Sequence, residues 1–208
     1  MKLSTPGFFT VIFVLGTIAA VSSCSKYDRF AGTWQGTPER INGITDVADA
    51  TSTITVDFAP AEANKKQGIA DFSAVIEVTQ QIPSDPNVIN VPYETNITAT
   101  ASVSAHYAYE EGDDDDILLS FDPSTLKVVV DPAGVTFSEN LVSGVERPVL
   151  DSLTVAAAEQ WRMQITPAIR EEFFKFKKIE DIKVHHGDMM SCEVNNHDLT
   201  FRRVAVPE

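Results

Sequence analysis

The chain has 208 residues, of which 43% are hydrophobic, and a formal net charge of −14. This length suits one domain with a sizeable core, or a barrel with a long excursion, and does not require two domains. The acidic composition excludes nucleic-acid binding, since contacts to phosphate need a basic patch. Beyond the N-terminus the apolar residues fall in short alternating runs, so no second membrane span is predicted.

The N-terminus has the features of an export signal. Lys2 supplies a positive charge, and residues 8–21 form an apolar run that is short for a spanning helix. Residues 21–24 (Val-Ser-Ser-Cys) follow and resemble the lipobox of bacterial lipoproteins. The resemblance implies removal of residues 1–23, a diacylglycerol on the sulfur of Cys24, and acylation of the new amino group. Several acyl chains together hold a protein stably on a membrane.

This leader defines the expected domain organisation and location. Residues 24–29 would form a short polar tether, and residues 30–208 the folded domain. We expect the protein in the cell envelope, anchored to the outer membrane through acylated Cys24; the periplasmic and surface faces both stay open. The alternative is a cleaved signal with a free Cys24, which would leave a thiol exposed in an oxidising compartment.

Alternating apolar and polar residues predict a series of strands. Prolines make residues 84–93 an irregular connection, because proline cannot lie in a central strand. Short turns between the strands imply antiparallel neighbours. The predicted strands are 32–41, 53–58, 72–82, 97–109, 117–121, 126–130, 179–184, 189–194 and 199–204.

The strand at 97–109 has an unusually small inner face. Such a face either leaves room for a guest inside a barrel or lets a large element pack closely against it. The apolar side consists of Ile97, Ala99, Ala101, Val103, Ala105, Tyr107 and Tyr109.

Helical spacing replaces strand alternation over residues 149–178. Apolar residues recur there every three or four positions, which is typical of one helical face. Pro167 cannot lie inside a straight helix, so two helical segments meeting near Thr166-Pro167 are expected. The face consists of Leu153, Ala157, Trp161, Ile165, Ile169, Phe173 and Phe176.

The strands favour an up-and-down barrel, since closure removes exposed sheet edges. Residues 32–34 (Gly-Thr-Trp) resemble the opening motif of lipocalins and the wider calycin group, and the whole chain resembles the small lipocalin-like lipoproteins of Bacteroidetes. The resemblance implies a mainly β, up-and-down antiparallel lipocalin-like barrel. The helical spacing adds a segment, about 150–178, before the last three strands, whereas lipocalins carry their helix after the barrel. The alternative is a buried tryptophan in another antiparallel α+β fold.

The same resemblance implies two sets of site residues. Trp34 would close one end of the barrel beneath Arg202 or Arg203, one facing inward and the other outward. A lipocalin-like fold also implies binding of a small apolar or amphipathic ligand without catalysis. The alternative is a structural or protein-interaction lipoprotein whose helix fills the barrel. The candidate cavity residues are Ala99, Ala101, Val103, Ala105, Tyr107, Trp161 and Phe173.

No chemistry-bearing constellation emerges from the remaining residues. No nucleophile, base and orienting group occur at a recognisable spacing, and no cofactor is predicted. His185 and His186 fall at the opposite end of a strand from His197, so no metal site is predicted. The acidic run 113–116 is interpreted as a solvated hairpin tip rather than a calcium loop, and Cys192 as a buried core residue.

Overall fold

The computed structural model describes residues 26–44, 48–85 and 89–205, so the predicted leader and Cys24 lie outside the described residues. Within these ranges the helices are α1 (Glu139–Val142) and α2 (Arg147–Phe174), with 3₁₀ turns at Lys26–Asp28, Pro123–Thr125 and Lys175–Lys177. The strands are β1 (Gly32–Gly36), β2 (Glu39–Arg40), β3 (Ala48–Pro60), β4 (Gln67–Ile82), β5 (Tyr93–Tyr109), β6 (Ile117–Phe121), β7 (Lys127–Phe137), β8 (Lys178–His185), β9 (Met189–Val194) and β10 (His197–Arg203).

Eight of these strands close into an antiparallel barrel. The order around the ring is β1, β10, β9, β8, β6, β5, β4 and β3, and β3 pairs with β1. Trp34 of β1 lies opposite Arg203 of β10 on one side and Val56 of β3 on the other. The predicted mainly β, up-and-down antiparallel barrel, with its helix before the last three strands, is confirmed. The predicted first strand is divided into β1 and β2 at Thr37-Pro38.

The strand β5 pairs with three neighbours. It runs beside β4 from Gln67 opposite Ala108 to Ile82 opposite Tyr93. On its other side it pairs with β6 near one end of the barrel and with β7 towards the other. Between β6 and β7, the Asp122 carboxylate accepts a hydrogen bond from the Ser124 amide (2.9 Å) and fixes a tight turn. Because of this interruption, β6 continues the ring to β8, whereas α2 packs along β7.

Helix α2 is continuous and contains Pro167. The prediction of two helical segments meeting near Thr166-Pro167 is therefore wrong. The hydroxyl of Thr166 donates to the carbonyl four residues earlier (2.6 Å), and Ile165 and Ile169 are fully buried on either side of the proline. Proline costs a helix interior about 3 kcal/mol, and burial of this apolar face on both sides of Pro167 offsets that cost.

The apolar face of α2 packs into the inside of the sheet. Trp161, Ile165, Ile169 and Phe173 are at most 2% exposed, and they belong to the same core cluster as the small residues of β5. The Phe176 ring, just after α2, lies 5.4 Å from that of Phe72 in β4 and 6.3 Å from that of Phe201 in β10. The small inner face of β5 thus accommodates a large packed element, one of the two predicted alternatives.

The segment before β1, residues 26–31, is docked on the barrel, and we call it the N-terminal strap. Its Phe30 is fully buried, with its ring 4.8 Å from that of Phe58. Of the predicted short polar tether, residues 24–29, the part from 26 to 29 is held on the barrel, because insertion of Phe30 draws the preceding residues onto it.

The strap defines the two ends of the barrel. The strap end contains the β3–β4, β5–β6 and β8–β9 turns, whereas the far end contains the β9–β10 turn and the segment between β7 and α2.

Within the described ranges, no helix combines the length and the apolar character needed to cross a bilayer.

Candidate functional site

Trp34 lies at the strap end under an arginine of the last strand. The guanidinium carbon of Arg203 is 4.2 Å from the centre of the Trp34 ring, within the range of a cation–π interaction. Arg203 also donates to the carbonyls of Ala31 (2.8 Å) and Gly187 (2.7 Å), and the Trp34 Nε1–H donates to the Phe30 carbonyl (2.6 Å). Arg202 alternates to the outer face of β10 and is exposed. Of the two candidate arginines, Arg203 is therefore the one over Trp34.

The predicted cavity residues lie in the packed core. Each is at most 4% exposed. The Phe173 ring, 6.1 Å from the Phe72 ring, occupies space in front of the small side chains of β5. The face of α2 therefore covers the small residues of β5, whereas Tyr107 packs against Phe30 and Phe58 at the strap end. Two clefts lie where α2 meets the far end of the barrel. The seven predicted cavity residues are Ala99, Ala101, Val103, Ala105, Tyr107, Trp161 and Phe173.

One such opening, which we call the Glu172 cleft, has a volume of about 480 Å³. It lies between the C-terminal part of α2, the β1–β2 segment and the β9–β10 turn. Its apolar wall includes Ile54, Phe176 and Phe201. The charged residues of its lining are Glu39, Arg40, Glu172, Lys175 and Asp198.

Glu172 is the unusual residue of this cleft, because it is a charged residue that is only 8% exposed. Its carboxylate lies 2.6 Å from the ammonium of Lys175, one helical turn later, which is half-exposed at 42%. A buried carboxylate carries a large desolvation cost unless such a partner offsets it. The site therefore combines a buried carboxylate, paired with Lys175, with the apolar side chains of Ile54, Phe176 and Phe201, a combination typical of small-molecule sites.

The sequence interpretation missed Glu172, although a signal was present. Glu172 follows Ile169 by three positions and precedes Phe176 by four, so it lies on the apolar stripe of α2. A carboxylate on a stripe that packs into a core must be partnered or functional. A glutamate on this apolar stripe is therefore the sequence signal that indicates a site at Glu172.

A second opening, the Trp161 cleft, has a volume of about 350 Å³ and is lined by the part of α2 from Leu153 to Trp161. Its floor is a row across three strands, since Thr95 of β5 lies opposite Gln80 of β4 and Phe137 of β7. The Thr95 hydroxyl is buried and has no hydrogen-bond partner within the described part of the chain. Trp161 is the one predicted cavity residue that lines this cleft.

Two carboxylates of the acidic β5–β6 turn form ion pairs with the rest of the protein. Residues 111–114 are exposed, but Asp115 pairs with Arg29 and Asp116 lies 3.1 Å from the Lys178 ammonium. Hydrogen bonds from Lys178 to Glu180, Glu110 and Asp116 raise the pKa of this lysine. The interpretation as a solvated tip is therefore wrong for residues 115 and 116, because both carboxylates are held by cations.

The histidines do not converge. His185 Nε2 lies 3.0 Å from Ser191 Oγ at the strap end of β9, whereas His197 is at the far end, opposite Val194. Among residues 26–44, 48–85 and 89–205, no three His, Cys, Asp or Glu side chains are close enough to share a metal ion.

Cys192 is buried at 4% exposure, which confirms the prediction of a core residue. Burial, with a smaller contribution from Asp198, raises the pKa of its thiol to about 12. The reactive thiolate is therefore scarce at neutral pH in the folded protein.

We expect the Cys192 thiol to react with a disulfide reagent at about pH 8 only after unfolding in guanidinium. The pKa of the Cys192 thiol is higher in the folded than in the unfolded protein, so the unfolded protein loses this proton first as the pH rises. The stability that the buried, protonated thiol contributes is therefore fully present below the pKa of the unfolded state and is lost between about pH 9 and pH 12. Urea titrations of the wild type and Cys192→Ala at about pH 8 and pH 10 measure this difference. Rapid labelling of the folded protein at the lower pH would contradict the assignment.

Comparisons with protein-family models, with curated proteins and with solved structures gave no match.

Proposed function

We propose that this chain is a membrane-anchored binding protein, held to the outer membrane by acylated Cys24, that takes up a small amphipathic molecule in the Glu172 cleft without catalysis. The observation that carries the proposal is a glutamate that is 8% exposed beside apolar side chains in a cleft of about 480 Å³. A volume of this size is ordinary for a small-ligand site.

The lining indicates which end of the ligand would lie where. An alkyl or ring portion would pack on apolar residues of the wall such as Phe176, Phe201 and Ile54. A cationic head would lie at Glu172, because the lining holds three carboxylates, Glu39, Glu172 and Asp198, against the cations Arg40 and Lys175. The preferred ligand class is therefore an amphipathic cation.

We expect the anchored protein, in nanodiscs, to bind octylamine more tightly than octanoate. Glu172→Gln should weaken octylamine binding by about tenfold or more, since hydrogen bonds to charged groups contribute about 1.5–3 kcal/mol. Titration calorimetry with empty nanodiscs as the blank measures both affinities.

The matched control is Glu171→Gln, which makes the same change at an exposed neighbouring position of α2. It should bind octylamine like the wild type. Equal weakening in the two variants, or equal affinity for octylamine and octanoate, would contradict the proposed site.

A second function is favoured by the packing of α2 inside the barrel. Because this helix occupies the interior, the protein also suits a structural or protein-interaction role at the envelope. Native mass spectrometry of the protein purified from its own membrane separates the two roles. A copurifying small molecule supports ligand binding, whereas a stoichiometric polypeptide supports the interaction role.

A further inference from the structure

The N-terminal strap is attached to the β5–β6 turn by its side chains. Arg29 donates to the carbonyl of Asp114 (2.6 Å) and pairs with the carboxylate of Asp115. The Tyr27 hydroxyl donates to the carboxylate of Asp114 (3.1 Å). Asp28 lies 3.3 Å from the ammonium of Lys65, in the β3–β4 turn. The strap is thus fixed to two different turns of the same barrel end.

The strap is also held through its backbone and its aromatic rings. The hydroxyl of Tyr109 donates to the carbonyl of Tyr27 (3.2 Å), and the two rings are 4.8 Å apart. Phe30 packs within 6 Å of the rings of Tyr107 and Tyr109. Together with the bonds from Trp34 and Arg203 to the strap carbonyls, these contacts fix residues 27–31 as one rigid unit with the barrel.

The strap begins almost at the predicted anchor. Cys24 precedes Lys26 by two residues, and adjacent α-carbons are about 3.8 Å apart, so the two α-carbons are separated by at most about 8 Å. A link of at most that length is too short for the barrel to bring its far end to the bilayer in place of the strap end. The far end is much more distant: β4 has 16 residues and, at about 3.3 Å per residue and a tilt of about 40°, extends roughly 40 Å along the barrel axis.

We propose that the strap end of the barrel lies against the lipid headgroups and that the strap holds the Glu172 and Trp161 clefts facing away from the bilayer. This inference rests on the acylation of Cys24 proposed above. The strap end is then an interaction surface whose partner is the bilayer itself, and the orientation comes from the contacts of Tyr27, Asp28 and Arg29 rather than from the anchor alone.

Charge indicates the kind of lipid surface. The strap end presents exposed residues of both signs: Glu111, Asp113 and Asp114 in the β5–β6 turn, and Lys65 and Lys66 in the β3–β4 turn. Carboxylates are repelled by anionic headgroups and tolerated beside zwitterionic ones. The partner surface is therefore zwitterionic lipid.

Energy transfer to labelled lipid tests the orientation. The acylated protein is placed on phosphatidylcholine vesicles that contain a rhodamine lipid, with a donor dye on Glu62→Cys at the strap end or on Ser143→Cys at the far end. Both positions are exposed. We expect several-fold greater transfer from position 62 than from position 143. The Tyr27→Ala/Arg29→Ala variant should lose this difference, whereas Arg147→Ala, which removes an exposed far-end ion pair, should keep it.

The outcomes distinguish the orientation from the anchor. Equal transfer from the two positions in an acylated, vesicle-bound protein overturns the orientation and leaves the anchor intact. An N-terminal peptide that carries no acyl chains by mass spectrometry, together with no vesicle binding, overturns both. Persistence of the difference in the double variant overturns the role of the strap contacts.

Discussion

Replacing Trp34 with alanine is expected to reduce the free energy of unfolding by about 3–5 kcal/mol, the usual cost of truncating a large buried aromatic side chain. Trp34 is fully buried, and the change removes both its hydrogen bond to Phe30 and the ring beneath Arg203. Urea denaturation followed by far-ultraviolet circular dichroism measures the loss, because Trp161 complicates a fluorescence readout.

Two adjacent arginines provide a matched control for this end of the barrel. Arg203→Ala should cost about 1–3 kcal/mol, since it removes the cation over Trp34 and two hydrogen bonds to carbonyls. Arg202→Ala should change stability by no more than about 0.5 kcal/mol, because that side chain lies on the outer face of β10, away from Trp34. Equal effects of the two substitutions would contradict the assignment of Arg203 to barrel closure.

Introducing aspartate at Ile169 is expected to abolish cooperative folding. Ile169 is fully buried at the centre of the α2 face inside the barrel, and an unpaired charge there costs more than about 4 kcal/mol, a large part of the stability of a domain this size. Differential scanning calorimetry should show no native transition.

Met163→Asp is the matched control on the same helix, because Met163 is 59% exposed. Its transition temperature should stay close to that of the wild type. If Ile169→Asp instead kept the barrel transition while gaining binding of a hydrophobic dye, α2 would be a detachable lid. That result would contradict a helix packed as an integral part of the core.

The barrel could be predicted from sequence because strand alternation reports burial directly. In β5 every second residue from Ile97 to Tyr107 is buried, as its pattern indicates. The last three strands lie within one or two residues of their predicted bounds. A period of two needs only local information, since side chains on a strand alternate between its two faces.

The features that depend on tertiary contacts could not be predicted in this way. Local rules break a helix at Pro167, but burial of Ile165 and Ile169 keeps α2 continuous. Residues 26–29 have the composition of a tether, and only the distant Asp114 and Asp115 make them a strap. The Glu172 cleft likewise combines α2 with strands more than 100 positions away in sequence, such as β1 and β3. In each case the deciding partner is far along the chain.

The pairing of the first strand with the last has a consequence for biogenesis. Gly36 lies opposite Phe201, so the ring cannot close until the chain has emerged as far as Phe201 from the channel that delivers it. Contacts of such long sequence separation form slowly. During that interval the apolar inner faces stay uncovered, and we expect the newly delivered chain to depend on a holding chaperone until β10 arrives.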